Sequence, residues 1–209
     1  MKKTYYDVSM MISETMQVYK NKEEKIPRFS LASKLPDNTS QETLVALNLH
    51  TGTHLDFPSH MVQDGPSSDT LDLKRLIRSV KVFDFSPLTD KITKRELQEK
   101  GIEPGDFLLF KTRNSFEENF NFQFIYLAKD GAEYLVEKGV LGVGIDGLGI
   151  ERDQPHHPTH KTLFKNDVYI IEGLRLAAVP EGHYFMVAQP IKMPKTDALL
   201  LSVVLFDES

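Results

Sequence analysis

The chain has no cysteine and no tryptophan in 209 residues. Without cysteine there is no disulfide, no thiolate ligand and no cysteine nucleophile, so any metal must be held by nitrogen and oxygen donors. A positive surplus is also lacking. Lys and Arg number 25 against 30 Asp and Glu, a formal net charge of −5, which gives no electrostatic basis for binding nucleic acid or an anionic membrane. No apolar run approaches the roughly 20 residues of a membrane-spanning helix. The first residues, Met1-Lys-Lys-Thr-Tyr-Tyr-Asp, carry no apolar signal-peptide core, so the expected location is the cytoplasm. Gly-x-Ser-x-Gly is absent, which removes the serine-hydrolase elbow. Internal repeats and low-complexity tracts are absent too. With 40% hydrophobic and 26% charged residues, the chain reads as one soluble globular domain over residues 1–209 with a sizeable core.

What the chain does have is clustered imidazole. Three of its seven histidines and an aspartate fall in one short run, His50-Thr-Gly-Thr-His54-Leu-Asp56-Phe-Pro-Ser-His60. Neutral imidazole and carboxylate hold a divalent metal while leaving room for a water. All four positions are even-numbered, so in an extended segment their side chains share one face. Val45, Leu47, Leu49, Leu55 and Phe57 hold the odd positions, the alternation of a half-buried strand. A helix would also join His50 to His54, as in zinc proteases. Thr51, Gly52 and Thr53 are poor helix formers, however, and Pro58 disfavours helical geometry at Phe57. Gly52 lets the backbone approach a metal or bend above it. The competing reading is a set of hydrogen-bonded structural histidines. A solvated loop rarely needs three imidazoles and a carboxylate on one side of an apolar strand.

Along the rest of the chain, residues 4–12 read as an opening strand. Residues 13–40, polar and containing Pro27 and Pro36, read as a long loop without structure of its own, a candidate flap. Asp69 or Thr70 could cap a short helix through Ile77. Thr93 and Glu96 form a capping box for a helix over 93–100, and an amphipathic helix covers 130–138 and stops at Gly139. Strands are predicted over 80–85, 107–111, 140–145, 167–172 and 199–206. Together these make a mixed α/β domain.

A second histidine group, Pro155-His156-His157-Pro158-Thr159-His160, reads as a non-helical Pro-rich loop. Glu172 follows His160 by twelve residues and ends an apolar strand, where it faces either a cavity or solvent. Gly142-Val-Gly-Ile-Asp-Gly147 matches G-x-G-x-x-G, but the glycines lie inside a strand and a helix precedes them, so it is not a dinucleotide fingerprint. Their role is close packing and access to the site. Asp146 lines the cavity or caps a turn, and Asp7, Asp84 and Asp106 read as structural.

The run at 50–60 resembles the H-x-G-T-H-x-D-x-P-x-H signature of the cyclase, or bacterial kynurenine formamidase-like, family of metal-dependent hydrolases, which includes isatin hydrolase. All seven fixed positions match. Gly105-Asp106, Gly144-Ile-Asp146 and the pair His160 and Glu172 extend the resemblance over most of the chain. The resemblance implies a compact swivelling β/β/α domain with a barrel-like β core, assembled as a homodimer or homotetramer. It implies that His50, His54 and Asp56 bind a first divalent metal, that His160 and Glu172 complete a second site with Asp56 bridging, and that His60 is the acid/base residue. Two segments depart from the family. Its formamidases carry a W-P-G-D-like stretch where this chain has Val18-Tyr19-Lys20-Asn21-Lys22, and its Asp-x-Pro-Ser run is here Asp146-Gly-Leu-Gly-Ile-Glu151.

The implied chemistry is hydrolysis of an amide, formamide or cyclic amide C–N bond of a small molecule. Water acidified by a divalent metal from a pKa near 16 to about 7 attacks the carbonyl, and His60 carries its proton to the leaving group. An all-N/O donor set suits zinc, and its carboxylates suit manganese. A lactone or other cyclic ester is the alternative substrate. A catalytically silent metal-binding protein is the alternative class, against which the extra base His60 argues.

Overall fold

The computed structural model describes residues 4–208. In chain order its strands are β1 (Tyr5–Asp7), β2 (Arg28–Ser33), β3 (Glu42–Ala46), β4 (His54–Asp56), β5 (Ile77–Asp84) and β6 (Lys91–Ile92). They continue with β7 (Phe107–Lys111), β8 (Tyr126–Leu127), β9 (Gly142–Ile145), β10 (Tyr169–Glu172), β11 (Gly182–Pro190) and β12 (Ala198–Asp207). The α-helices are α1 (Lys94–Gln98), α2 (Lys129–Glu137) and α3 (Pro158–Lys165).

Seven strands close on themselves in the order β12-β11-β5-β7-β9-β10-β4, with β4 returning to pair with β12. Closure removes every unpaired edge from this ring. The β5–β7, β7–β9 and β9–β10 pairs are parallel and the others antiparallel. β12 is long enough to pair with β4 through Ala198–Leu200 and with β1 through Val204–Phe206.

Period-two alternation sorts the side chains onto two faces. Leu55, Val80, Val82, Phe107, Leu109, Ile171, Met186, Leu199 and Val203 join one buried cluster that fills the barrel. Phe83, Leu108, Phe110, Val143, Ile145 and Ile170 face the other way and pack with Leu97, Ala132, Leu135 and Leu163 of the helices. On β9 the inward positions are Gly142 and Gly144. A Cβ on Gly142 would lie 2.1 Å from the Phe107 ring, and one on Gly144 would lie 2.6 Å from Leu109. These glycines make room for the large residues of β7, the close-packing role expected for them.

Several expectations need correction. Residues 13–40 are not structureless, because β2 lies within them and pairs with β3 as an antiparallel hairpin. The strand read from the alternation between Val45 and Phe57 is two strands, β3 and β4, separated by turns at 49–53. Gly52, at φ +75°, supplies the left-handed bend that interrupts it. The opening strand is only three residues long. In place of a helix from 69 to 77 there are two 3₁₀ turns, Ser68–Thr70 and Leu73–Arg75. The capping box at Thr93 and Glu96 forms as expected. β2, β6, β8 and β11 lie where no strand is predicted. No helix among the described residues is long and apolar enough to cross a membrane.

Candidate metal centre

Leu55 of β4 pairs with Ile171 of β10, and both point into the barrel. Alternation therefore turns His54, Asp56 and Glu172 to the outer face. The register sets His54 opposite Glu172 and Asp56 opposite Ile170. β4 is bonded on both sides, to β10 and to β12, so the backbone beneath His54 and Asp56 is fixed. Gly52 and Gly173 both have positive φ, and a Cβ on Gly173 would lie 2.4 Å from the Gly52 carbonyl oxygen. That crossing carries the chain from the turn before β4 past the turn after β10.

His50 and His60 reach the same place by other means. His50 sits in the turn before β4, and His60 ends a 3₁₀ turn, Pro58–His60. They do not share a strand face with His54, and the shared-face reading holds only for His54 and Asp56. His160 is also not in a loop. It lies in the first turn of α3, which Pro158 opens, because proline at the first helical position has its φ preset for a helix.

The ring nitrogens and carboxylate oxygens converge on Asp56. Its Oδ1 lies 3.0 Å from His50 Nδ1 and 3.2 Å from His54 Nε2. Its Oδ2 lies 3.6 Å from His160 Nε2. Glu172 reaches His160 Nε2 at 3.3 Å and His54 Nε2 at 3.6 Å. His50 and His60 stack with ring centroids 3.9 Å apart. Three sets of donor atoms among the described residues, His50/Asp56/His60, His54/Asp56/Glu172 and Glu151/His157/His160, each fit within 4.8 Å. Asp56 belongs to the first two, as a bridging ligand would. His54, Asp56, His160 and Glu172 are buried, whereas His60 keeps 25% of its side chain exposed.

Two carboxylates missed in the sequence reading stand behind these groups. Glu151 accepts a hydrogen bond from His160 Nδ1 at 2.5 Å and from the Thr159 backbone N–H at 3.0 Å. It therefore caps α3 and leaves His160 Nε2 free for a metal, the orientation that an outer carboxylate imposes on a ligating histidine. Asp197 accepts from His50 Nε2 at 2.9 Å and lies 3.6 Å from His60 Nδ1. Nothing periodic marks Glu151. Asp197 directly precedes β12, a strand end from which a side chain can face the site. His54 is oriented by backbone alone, since its Nδ1–H donates to the Gly52 carbonyl at 3.0 Å.

Electrostatics agree with this geometry. Burial pushes the Asp56 carboxyl up, but the charge of His54 and the nearby imidazoles of His160, His50 and His54 outweigh it and hold the group well below the usual range. Burial pulls His160 down, and bonds to Asp56, Glu151 and Glu172 reverse this to well above its ordinary value. His50 behaves alike: burial is outweighed by Asp56 and Asp197, and its pKa rises to about 8. For His60 burial prevails and the pKa falls, which favours a neutral imidazole able to accept a proton. The donor set fits a divalent cation. His54 Nε2 and both Asp56 oxygens are buried without any good hydrogen-bond partner, although each faces the others, an arrangement costly unless a cation satisfies it.

Other candidates fall away. Asp146 is buried and accepts from Thr112, Asn114 and Ser115, five hydrogen bonds that hold the Arg113–Phe116 turn. Its role is structural. His157 is largely exposed and 3.4 Å from Glu151. A larger cavity of about 410 Å³ touches Asp56 from behind, but its Arg75 is engaged with Asp167 and stacked on Tyr169. The cavity of about 200 Å³ bordered by His50, His60, His160 and Glu172 is the one that opens onto the donor atoms.

Comparison with known proteins bears on this site. The family described as "Putative cyclase" matches residues 6–152. A kynurenine formamidase of Erythrobacter litoralis is 31% identical over 163 residues, 77% of this chain and 74% of the relative. The solved structure of a predicted metal-dependent hydrolase from Bacillus stearothermophilus is 50% identical, superposes with a TM-score of 0.91 and covers all of both chains. Isatin hydrolase A from Ralstonia solanacearum, at 21% identity, shares the fold with a TM-score of 0.84 over 99% of this chain and 92% of its own. The chain belongs to the cyclase family, together with the bacterial kynurenine formamidases.

Proposed function

We propose that this protein is a metal-dependent hydrolase that cleaves an amide, formamide or cyclic amide C–N bond of a small molecule. The observation that carries this reading is the unsatisfied set of His54 Nε2 and both Asp56 oxygens, with a partly exposed imidazole, His60, at its rim. His50, His54 and Asp56 hold one divalent ion, and His160 and Glu172 with Asp56 hold a second. The ion is zinc, which suits imidazole and carboxylate donors, with manganese the next choice. When bound, it acidifies water and polarises the scissile carbonyl.

The remaining work falls to the chain's own residues. His60 takes the proton of the attacking water and returns it to the leaving nitrogen. Its depressed pKa makes it a base at neutral pH, and imidazole is suited to both steps. Asp197 lies 3.6 Å from His60 Nδ1 and stabilises the imidazolium formed in between. Glu151 and Asp197 hold His160 and His50 in the rotation that presents a nitrogen to the metal.

Self-association belongs to the same reading. The β2–β3 hairpin exposes Phe29, Leu31, Leu44 and Val45, and an isolated two-stranded hairpin is at best marginally stable. A second copy of the chain covers it, and equilibrium sedimentation at a dimer mass or above checks this. The hydrolase reading is tested by metal analysis together with a panel of formanilides, cyclic amides and lactones. Turnover of a C–N substrate that is lost with chelator supports it. Lactones alone being cleaved, or a metal-loaded protein inert to the whole panel, contradicts it.

A further inference from the structure

We propose that the pocket over the metal centre takes a substrate carrying a carboxylate, and that Lys25 is the residue that receives it. This rests on the hydrolase reading and names the class of substrate. The cavity of about 200 Å³ is walled, beyond His50, His60, His160, Glu172 and Glu151, by Tyr19, Lys22, Lys25, Met61, Leu148, Gly149 and the largely exposed His157. That volume lies below the usual 300–1,000 Å³ of sites for drug-sized ligands, which points to a compound of about one ring.

Lys25 is the part-buried lysine that borders this cavity, and it differs from three others that are held in place. Lys81 is held by Asp106 at 2.8 Å, Lys100 by Glu181 at 2.7 Å and Lys111 by the Val179 carbonyl at 2.9 Å. The Lys25 ammonium has no hydrogen-bond or ion-pair partner among the described residues and lies 5.7 Å from the centroid of the Tyr19 ring. Its backbone is fixed, because its carbonyl accepts from Thr51 Oγ1 at 2.9 Å, next to His50. Burial pushes its pKa down, while Glu172 and Asp56 push it back up, so the ammonium feels the metal-site carboxylates. A half-buried cation without a partner is costly, and a carboxylate of the substrate would satisfy it with a charge-assisted hydrogen bond.

The charge balance of the filled site favours an anion as well. Asp56 and Glu172, with Glu151 behind His160 and Asp197 behind His50, are the carboxylates of the site. Two divalent ions would balance these four charges and leave the charge of Lys25 over. Lys22 is exposed and pairs with Glu24 at 3.7 Å, so its share is smaller. The flat wall is set by Tyr19, which packs edge-on to Phe120 and Phe124 at centroid distances of 5.4 and 6.3 Å. Gly149 lies beneath it, and a Cβ there would be 3.3 Å from the Tyr19 ring. A substrate ring lies against Tyr19 with its carboxylate toward Lys25 and its amide toward the metal.

The test uses the metal-loaded protein and pairs of probes that differ only in the carboxylate. Calorimetry compares 2-aminobenzoate with 2-aminobenzamide, and kinetics compares 2-formamidobenzoate with its primary amide. The native protein should prefer the carboxylate in both. Lys25→Met should weaken its binding roughly ten- to a hundredfold, raise KM for the carboxylate substrate and leave both values for the neutral probe in place. Lys25→Arg should restore much of the difference. Equal affinity for the two ligands, binding of neither, or equal losses for both in Lys25→Met would overturn the carboxylate subsite. Failure to hydrolyse either formamide, with the binding preference intact, would count against the hydrolase reading and leave the subsite standing.

Discussion

The floor and the wall of the site are built differently. His54, Asp56 and Glu172 stand on strands bonded into a closed barrel, and His160 stands on a capped helix turn packed against it. Tyr19, Lys22 and Lys25 stand on or between short turns that lie in the chain between β1 and β2. A strand with partners on both sides cannot shift its side chains without breaking its ladder, whereas a 3₁₀ turn can change residues at small cost. The difference assigns metal and reaction type to the floor, and choice of substrate to the wall.

The comparison can be broken from the floor side first. His60→Ala should lower turnover about 10²–10⁴-fold, the usual worth of a general acid–base group, with metal content unchanged by elemental analysis. Loss of metal in proportion to activity would make His60 a ligand instead. Glu151→Gln should leave the fold intact and weaken metal binding roughly 10–100-fold, as removal of an outer-shell partner does. It also keeps a side chain able to cap α3, so an unchanged affinity would reduce Glu151 to a helix cap.

The smallest effect concerns pH and sharpens the same contrast. In the metal-free protein the raised pKa values of His50 and His160 contribute stability that is full below the ordinary histidine value of 6.5. It is lost as pH rises through about 8 for His50 and through the raised pKa of His160. The depressed Asp56 contributes above its ordinary 3.8 and loses that contribution as pH falls. The metal-free melting temperature should therefore decline from pH 6.5 to 9. Metal binding expels those protons, so the loaded protein should gain stability over the same range. Parallel pH profiles for the two forms would contradict the assignment of these histidines as ligands.

Much of the floor was legible in the sequence, for a physical reason. Ligand chemistry needs particular side chains at short spacing, and His50, His54, Asp56 and His60 are contiguous enough to be seen. The register that brings Glu172 opposite His54 is long-range, and only the chemistry of the family resemblance pointed to it. Glu151 left no trace because a carboxylate that orients an imidazole needs a place in space and no fixed spacing. Strand existence was readable where apolar runs were dense, as over 107–111. The break in the strand before His54 was not, because alternation persists through the turn while Gly52 bends it. The hairpin was hidden by its polar neighbours, and its apolar residues face outward, where periodicity carries no burial signal.

The central claim is that the metal belongs to the floor alone. Calorimetric titration of zinc into chelator-stripped protein tests it most directly, run on the native chain, Asp56→Asn and Lys25→Met. The account predicts tight binding with proton release for the native chain and Lys25→Met, and none for Asp56→Asn. Weak binding by the native chain, or an Asp56→Asn variant that binds zinc as the native chain does, would contradict it.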